Sequence, residues 1–208
     1  VCILNIGGIA NITIINSNKD KDLQSFDIGP GNCLIDEWIR KKIKEKYDKD
    51  GKIASLGQSN KIILDQALDI FYNQKIKDNL SFDIKDFDLN FIRGLSLEDG
   101  AATLTDFTGT IIADSFSKLL LDKSNKPIKV LVCGGGRKNI SLLESINRRT
   151  LKNFIFSSID NYGINGDFVE SQAFAYLAIR TYLKLPISFP GTTGCKKPTV
   201  GGKIIQNF

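Results

Sequence analysis

Val1-Cys2-Ile3-Leu4-Asn5-Ile6-Gly7-Gly8-Ile9-Ala10-Asn11-Ile12-Thr13-Ile14-Ile15 opens the chain. Two runs rich in β-branched residues flank a Gly-Gly pair, the composition of a two-residue hairpin connection between antiparallel strands. After a polar turn at Asn16 to Asp22, Leu23 to Asp27 predicts a third short strand, ended by Gly29-Pro30-Gly31-Asn32. Leu34, Ile35, Trp38 and Ile39 then recur at helical spacing. The sequence of strand, glycine turn and helix returns further on. Ile128 to Cys133 is an apolar run of strand type, followed by Gly134-Gly135-Gly136 and by Ile140, Leu142, Leu143 and Ile146 at helical spacing. Strands alternating with helices imply an α/β fold with helices flanking a central β-sheet, mixed because the opening strands form a hairpin meander.

The intervening segments fill in the layers. Arg40 to Lys46 reads as a solvated basic helix face, Tyr47 to Gly57 as a loop, and Ile62 to Phe71 as a helix of about three turns. Asn73 to Asn90 is polar and Asp-rich, without a period. Ser96 with Asp99 resembles a capping box, and Ala101, Leu104, Phe107, Ile111, Ile112, Phe116, Leu119 and Leu120 predict a long helix, broken by Pro127. Phe154 to Ser157 predicts a strand, and Val169 to Ile179 a last helix ending before Pro186. The tail, with Pro190, Gly191, Gly194, Pro198, Gly201 and Gly202, is read as turns without helix.

With 208 residues, 42% apolar and 25% charged, the chain can bury a sizeable core. Its 28 Lys and Arg against 23 Asp and Glu leave a net +5 that is spread along the sequence, which favours solubility and gives no basic patch for nucleic acid. No run approaches the roughly 18 apolar residues of a membrane span, and the first residues lack a signal-peptide layout, so a cytoplasmic protein without a membrane partner is expected. The absence of His excludes Ser-His-Asp and Cys-His systems and His-ligated metals within this chain. Cys2, Cys33, Cys133 and Cys195 form no C-x-x-C pair, offer no zinc spacing and suit a reduced compartment. Because Val1 is not an initiator, a piece of something longer is expected.

Three constellations could carry chemistry. Gly134-Gly135-Gly136 lies between strand and helix, where backbone without Cβ atoms can approach a nucleotide and a helix N-terminus offers N–H donors. It does not have the dinucleotide G-x-G-x-x-G spacing, and the chain contains no G-x-x-x-x-G-K-[ST] loop. Gly7-Gly8 forms either a phosphate-cradling tip or an ordinary hairpin. Asp27, expected at a strand's C-terminal end beside the Gly-Pro-Gly turn, either projects into a cleft or caps that turn. Glu170, in the first turn of the last helix, is accounted for by the helix dipole. Trp38 reads as core.

These segments in order resemble the anhydro-N-acetylmuramic acid kinases, of the sugar-kinase, Hsp70 and actin-like ATPase superfamily. The likeness spans nearly the whole chain: Leu4 to Thr13, Phe26-Asp27 with Gly29 to Asn32 and Asp36, Asp50-Gly51, Ala102 to Thr105, Val132 to Gly136, Gly166-Asp167 with Glu170, and Thr192-Thr193-Gly194 with Gly201-Gly202. The resemblance implies an actin-like (RNase H-like) lobe, with residues 1–27 ending a first lobe or starting the second and residues 28–208 forming the C-terminal lobe. It further implies ATP- and Mg²⁺-dependent phosphoryl transfer to O6 of 1,6-anhydro-N-acetylmuramic acid, with water opening the ring, in peptidoglycan recycling. Asp27 matches the catalytic base, while Gly7, Gly8 and Asn11 match the second phosphate loop. Gly134, Gly135 and Gly136 match the adenosine-side turn, and Glu170 is carried over as a substrate-side residue. The chain departs from the family pattern at Ile28, around Lys77 to Asp88, and in lacking the N-terminal portion with the first phosphate loop. Only part of an active site is therefore expected. A non-catalytic remnant, a nucleotide-binding module needing a separate N-terminal partner, and a homodimer stay open.

Overall fold

β1 (Cys2–Ile6) and β2 (Ile9–Ile15) alternate buried with half-buried residues, the two-residue period of strands with one face on a core. The computed structural model describes residues 1–17, 23–73, 81–119 and 127–205. Leu4 pairs with Ile12 and Ile6 with Ala10, which makes Gly7 and Gly8 the tip of an antiparallel hairpin. β3 (Leu23–Pro30) adds antiparallel to β2, while β4 (Ile128–Cys133) runs parallel to β1 and β5 (Phe154–Ser158) parallel to β4. The order β3-β2-β1-β4-β5, with helices packed against it, is the mixed sheet of an α/β fold, as the sequence predicts.

Among the described residues, six α-helices surround or follow the sheet: α1 (Cys33–Lys42), α2 (Lys52–Leu56), α3 (Lys61–Asn73), α4 (Leu97–Leu119), α5 (Ile140–Asn147) and α6 (Val169–Tyr182). A one-turn helix, α7 (Pro190–Thr193), follows in the tail. The centre of the packing is α4. Its Ile112 and Phe116 join Leu4, Ile12, Val130, Leu142 and Ile146 between sheet and helices. Its Leu104, Phe107 and Ile111 join Ile35, Trp38, Leu64 and Phe71 in a second core with α1 and α3. Ser96 Oγ accepts from the Asp99 N–H at 3.1 Å, so the expected cap is present. Trp38 is buried and its Nε1 donates to Leu97 O at 2.9 Å. A Cβ on Gly100 would stand 2.4 Å from the Trp38 ring, which explains a glycine inside a long helix.

Three expectations are corrected. β3 does not end at Asp27 but continues through Gly29 to Pro30, which pairs with Ile9. A register shift opposite Ala10 and Asn11 accommodates Ile28, and Pro30 is tolerated because β3 is an edge strand. The segment 47–57 is not all loop: the Asp48 carboxylate accepts from the N–H groups of Ile53 and Ala54 at 2.8 and 2.9 Å and so starts α2. The tail holds α7, with Pro190 in its first turn and Gly194 left-handed after it. Four residues are too few to show a period. The predicted turn at 16–22, the 77–88 departure and the end of the long helix fall partly outside the described residues.

Asp36, in the first turn of α1, is half-buried, and burial pushes its carboxyl up to about 6, with Arg40 opposing and Asp48 adding repulsion. A carboxyl that holds its proton more tightly when folded costs stability as pH rises from about 4 to 6, and the loss persists above. Asp36→Asn is expected to raise stability at pH 7 by roughly 2 kcal/mol and to flatten that descent, as read from urea titrations at pH 4, 5, 6 and 7.

Candidate active site

Strand register assembles the site. Asp27 stands opposite Asn11, Asn11 opposite Asn5, and Asn5 opposite Cys133. Directly paired residues share a face, so Asp27, Asn11 and Asn5 form a polar row on the side away from Leu4 and Ile12. With strands about 4.8 Å apart, the row spans roughly 14 Å from β3 to β4. Cys133 Sγ donates to Asn5 Oδ1 at 3.6 Å and closes its far end.

Both glycine turns lie just beyond this row, at one edge of the sheet, because β1 and β4 are parallel and end together. Asn32, in the turn before α1, links them. Its backbone N–H donates to Gly7 O at 2.8 Å, and its side-chain amide donates to Ile6 O and Gly7 O at 3.4 Å. The same amide nitrogen would lie 3.0 Å from a Cβ on Gly136. Gly31 and Cys33 N–H groups donate to Gly8 O at 2.9 and 3.2 Å.

The glycines divide by what surrounds them. Gly134 has φ +78°, and a Cβ there would stand 2.4 Å from Asn5 Oδ1; a Cβ on Gly136 would stand 2.3 Å from Ile6 Cγ2. Those two are glycine because the turn packs tightly on β1. Gly7 and Gly135 are different: a Cβ would meet nothing nearer than Ile9 O at 3.5 Å and Asn32 Nδ2 at 4.0 Å respectively. Each presents bare backbone with room beside it.

Asp27 Oδ2 accepts from Ser81 Oγ at 2.7 Å and from the Phe82 N–H at 3.0 Å. Phe82 packs on Phe71 and Phe87, with ring centroids 6.4 and 5.5 Å away, and Ile84 Cδ1 would lie 3.3 Å from a Cβ on Gly8. Residues 81–84 thus lie against both Asp27 and the hairpin tip. Asp27 is not at the end of its strand as the sequence suggested. It sits inside β3, where the pleat aims it onto the polar row.

Arg137 follows the triple glycine and ties it down. Its side chain is 4% exposed; Nε donates to Asp160 Oδ2 at 2.7 Å, and Nη1 to Gly134 O at 3.1 Å and Asp167 Oδ1 at 2.9 Å. Hydrogen bonds from Arg137 hold both aspartates below the usual carboxylate range, with Ser158 and Gly166 helping at Asp160 and Lys138 at Asp167. The loop before α6 is therefore clamped to the glycine turn. Glu170, three residues beyond Asp167, is exposed and makes no side-chain hydrogen bond or ion pair among the described residues. No hydrogen bond links it to Asp27, whose Oδ2 is held by Ser81 and Phe82. Sequence reading missed Asn5, Asn32, Ser81 and Arg137 as site residues. Only Arg137 had a local signal, a cation directly after Gly134-Gly135-Gly136.

The strand order and the glycine-bounded polar row define a mixed α/β lobe whose glycine turns lie at the strand ends, the place where open α/β sheets bind ligands. The family model described as anhydro-N-acetylmuramic acid kinase matches residues 1–207, and the chain belongs to that family. It is 56% identical over 207 residues to the anhydro-N-acetylmuramic acid kinase of Pelagibacter ubique (strain HTCC1062), covering 100% of this chain and 55% of that one. It is 40% identical to that of Zymomonas mobilis, covering 98% and 54%. The chain spans about half the length of the curated relatives it matches. A solved structure, the activator of the 2-hydroxyisocaproyl-CoA dehydratase from Clostridium difficile with bound ADPNP, is 15% identical with a TM-score of 0.44 over 75% of this chain and 53% of that one, a likeness too loose to bear on function. Among the described residues no helix is long and apolar enough to cross a membrane.

Proposed function

We propose that the polypeptide containing this chain transfers the γ-phosphoryl group of ATP to O6 of 1,6-anhydro-N-acetylmuramic acid, with water opening the anhydro ring, in cytoplasmic peptidoglycan recycling. Family membership supports the reaction class. The observation that carries the site is the shared side of the sheet: Asp27 at the β3 end of the polar row, Gly7-Gly8 at the tip joining β1 and β2 in its middle, and Gly134 to Gly136 beyond its β4 end. In this reading residues 1–27 open the second of two lobes and residues 28–208 complete it.

Bare backbone at Gly7 and Gly135 fits a phosphate chain and an adenosine, because no side chain crowds either position. Bound Mg-ATP would supply the phosphoryl group, with the cation neutralising charge between its phosphates. Gly7, Gly8 and Asn11 would hold the phosphates, and the Gly134 to Gly136 turn the adenosine side. Asp27 would take the proton of the water that attacks the anomeric carbon, so that the bond from that carbon to O6 breaks and O6 takes up the phosphoryl group. Ser81 Oγ and the Phe82 N–H hold one carboxylate oxygen and leave the other for that proton. Glu170 is assigned to the substrate side through the family motif alone.

Gly135→Val is the direct test. The site has space, so the melting temperature is expected to stay within about 1 °C, while calorimetric affinity of this chain for Mg-ATP falls about tenfold or more. Unchanged affinity would take the glycine turn out of the nucleotide site.

A further inference from the structure

Exposed apolar side chains gather at the end of the chain. On and around α6, Phe168, Phe174, Tyr176, Ile179, Tyr182 and Leu183 are each 57–72% exposed, and no residue of the helix is buried. A helix turns 100° per residue, so Phe174, Ala175, Ala178, Ile179 and Tyr182 fall within an arc of about 140°. Ser171 shares that arc, and no charged residue does. Glu170 and Arg180 lie outside it.

The other side of α6 already has a cover. Arg180 Nε donates to Pro186 O at 2.6 Å, Arg180 sits over the Phe189 ring, and a Cβ on Gly202 would stand 2.9 Å from Thr181 Cγ2. The returning tail therefore packs on the half-buried face, and the apolar face is left bare. Both ends of the helix are fixed. Asp167 before it is held by Arg137, and beyond it α7 packs on β3, where a Cβ on Gly191 would meet Leu23 O at 2.1 Å. A bare aromatic face on a helix anchored at both ends has the character of an interface.

We propose that this face of α6 seats the part of the family's polypeptide that this chain does not span, whether joined to it or supplied as a separate chain. The relatives are almost twice as long as the matched region, so a body of comparable size is available to cover it. The exposed Phe174, Ile179 and Tyr182 with the small Ala175 and Ala178 give this face the apolar, aromatic composition of an interface core. The proposal rests on family membership and is independent of the phosphoryl-transfer reading.

The test joins the part of the Pelagibacter ubique relative outside the match to this chain and compares hydrogen exchange in the fused and free chains. Amides of α6 are expected to exchange about 100-fold more slowly or better in the fusion. Phe174→Asp with Ile179→Asp should restore fast exchange without moving the melt of the free chain, since both positions are exposed. Unchanged exchange of α6 on fusion overturns the proposal. So does a concentration-dependent dimer of the free chain in light scattering that the same two substitutions abolish, because α6 would then meet a second copy. A fusion that protects α6 yet fails to turn over the anhydro sugar supports the docking surface and counts against the proposed function alone.

Discussion

Asp27→Asn, in the polypeptide completed to its relatives' length, is expected to lower turnover of the anhydro sugar by about 10²–10⁴-fold, the range a positioned general base contributes. The amide keeps the size of the carboxylate, and its oxygen can still accept from Ser81 Oγ and the Phe82 N–H. What it loses is a lone pair basic enough to take a proton from water. The adenosine contacts assigned to Gly134 to Gly136 lie at the far end of the polar row, roughly 14 Å away across β2 and β1, and the amide keeps the carboxylate's shape beside Asn11, the phosphate-side residue opposite it, so Mg-ATP affinity should stay within about twofold. Steady-state kinetics paired with calorimetric titration separates the two effects. Turnover at the wild-type rate would remove Asp27 from the mechanism, and a matching loss of ATP affinity would mean that Asn at this position disturbs the whole edge.

The legible features of this protein were those with a period or a punctuation mark. The β-branched runs around Gly7-Gly8 gave β1 and β2, and the apolar spacing from Ala101 to Phe116 gave α4, because each pattern repeats often enough to distinguish one face from another. What stayed hidden depends on residues distant in sequence. β3 runs on through Gly29 and Pro30 only because a register shift against β2 accommodates Ile28, and nothing in residues 23–30 states the pairing. In the site, the glycine turns were visible but not their division of labour. Gly134 and Gly136 are required by Asn5 and Ile6, more than 125 residues earlier, whereas Gly135 is open. Ser81 reaches Asp27 across 54 positions from a polar stretch with no period. Arg137 reads locally as an exposed base at a helix start and becomes a buried clamp only when β5 brings Asp160 beside it.

That clamp sets the second large effect. Arg137→Ala is expected to lower the melting temperature by roughly 5–10 °C, because removing a buried guanidinium leaves two aspartates and the Gly134 carbonyl without their shared donor. Half-exposure of Asp160 and Asp167 keeps the loss below that of a fully buried pair, since water can take up part of what the arginine gave. Arg137→Lys should recover little of it: one ammonium cannot reproduce the fork that reaches Asp160, Asp167 and Gly134 O together. The pH dependence has a definite sign. Both aspartates bind protons less tightly when folded, so their contribution is present above the ordinary carboxylate range and is lost as pH falls through their depressed folded values. The gap between wild type and Arg137→Ala should therefore narrow below about pH 4 and stay constant above pH 6 or so. Thermal melts of both proteins across that range decide the matter: a gap that does not depend on pH would assign the arginine's contribution to packing instead of charge. Hydrogen exchange in the same pair locates the effect, because Asp160, which accepts from the Gly166 N–H, loses the guanidinium that holds it, and residues 159–168, the segment that sets where α6 begins, should loosen first.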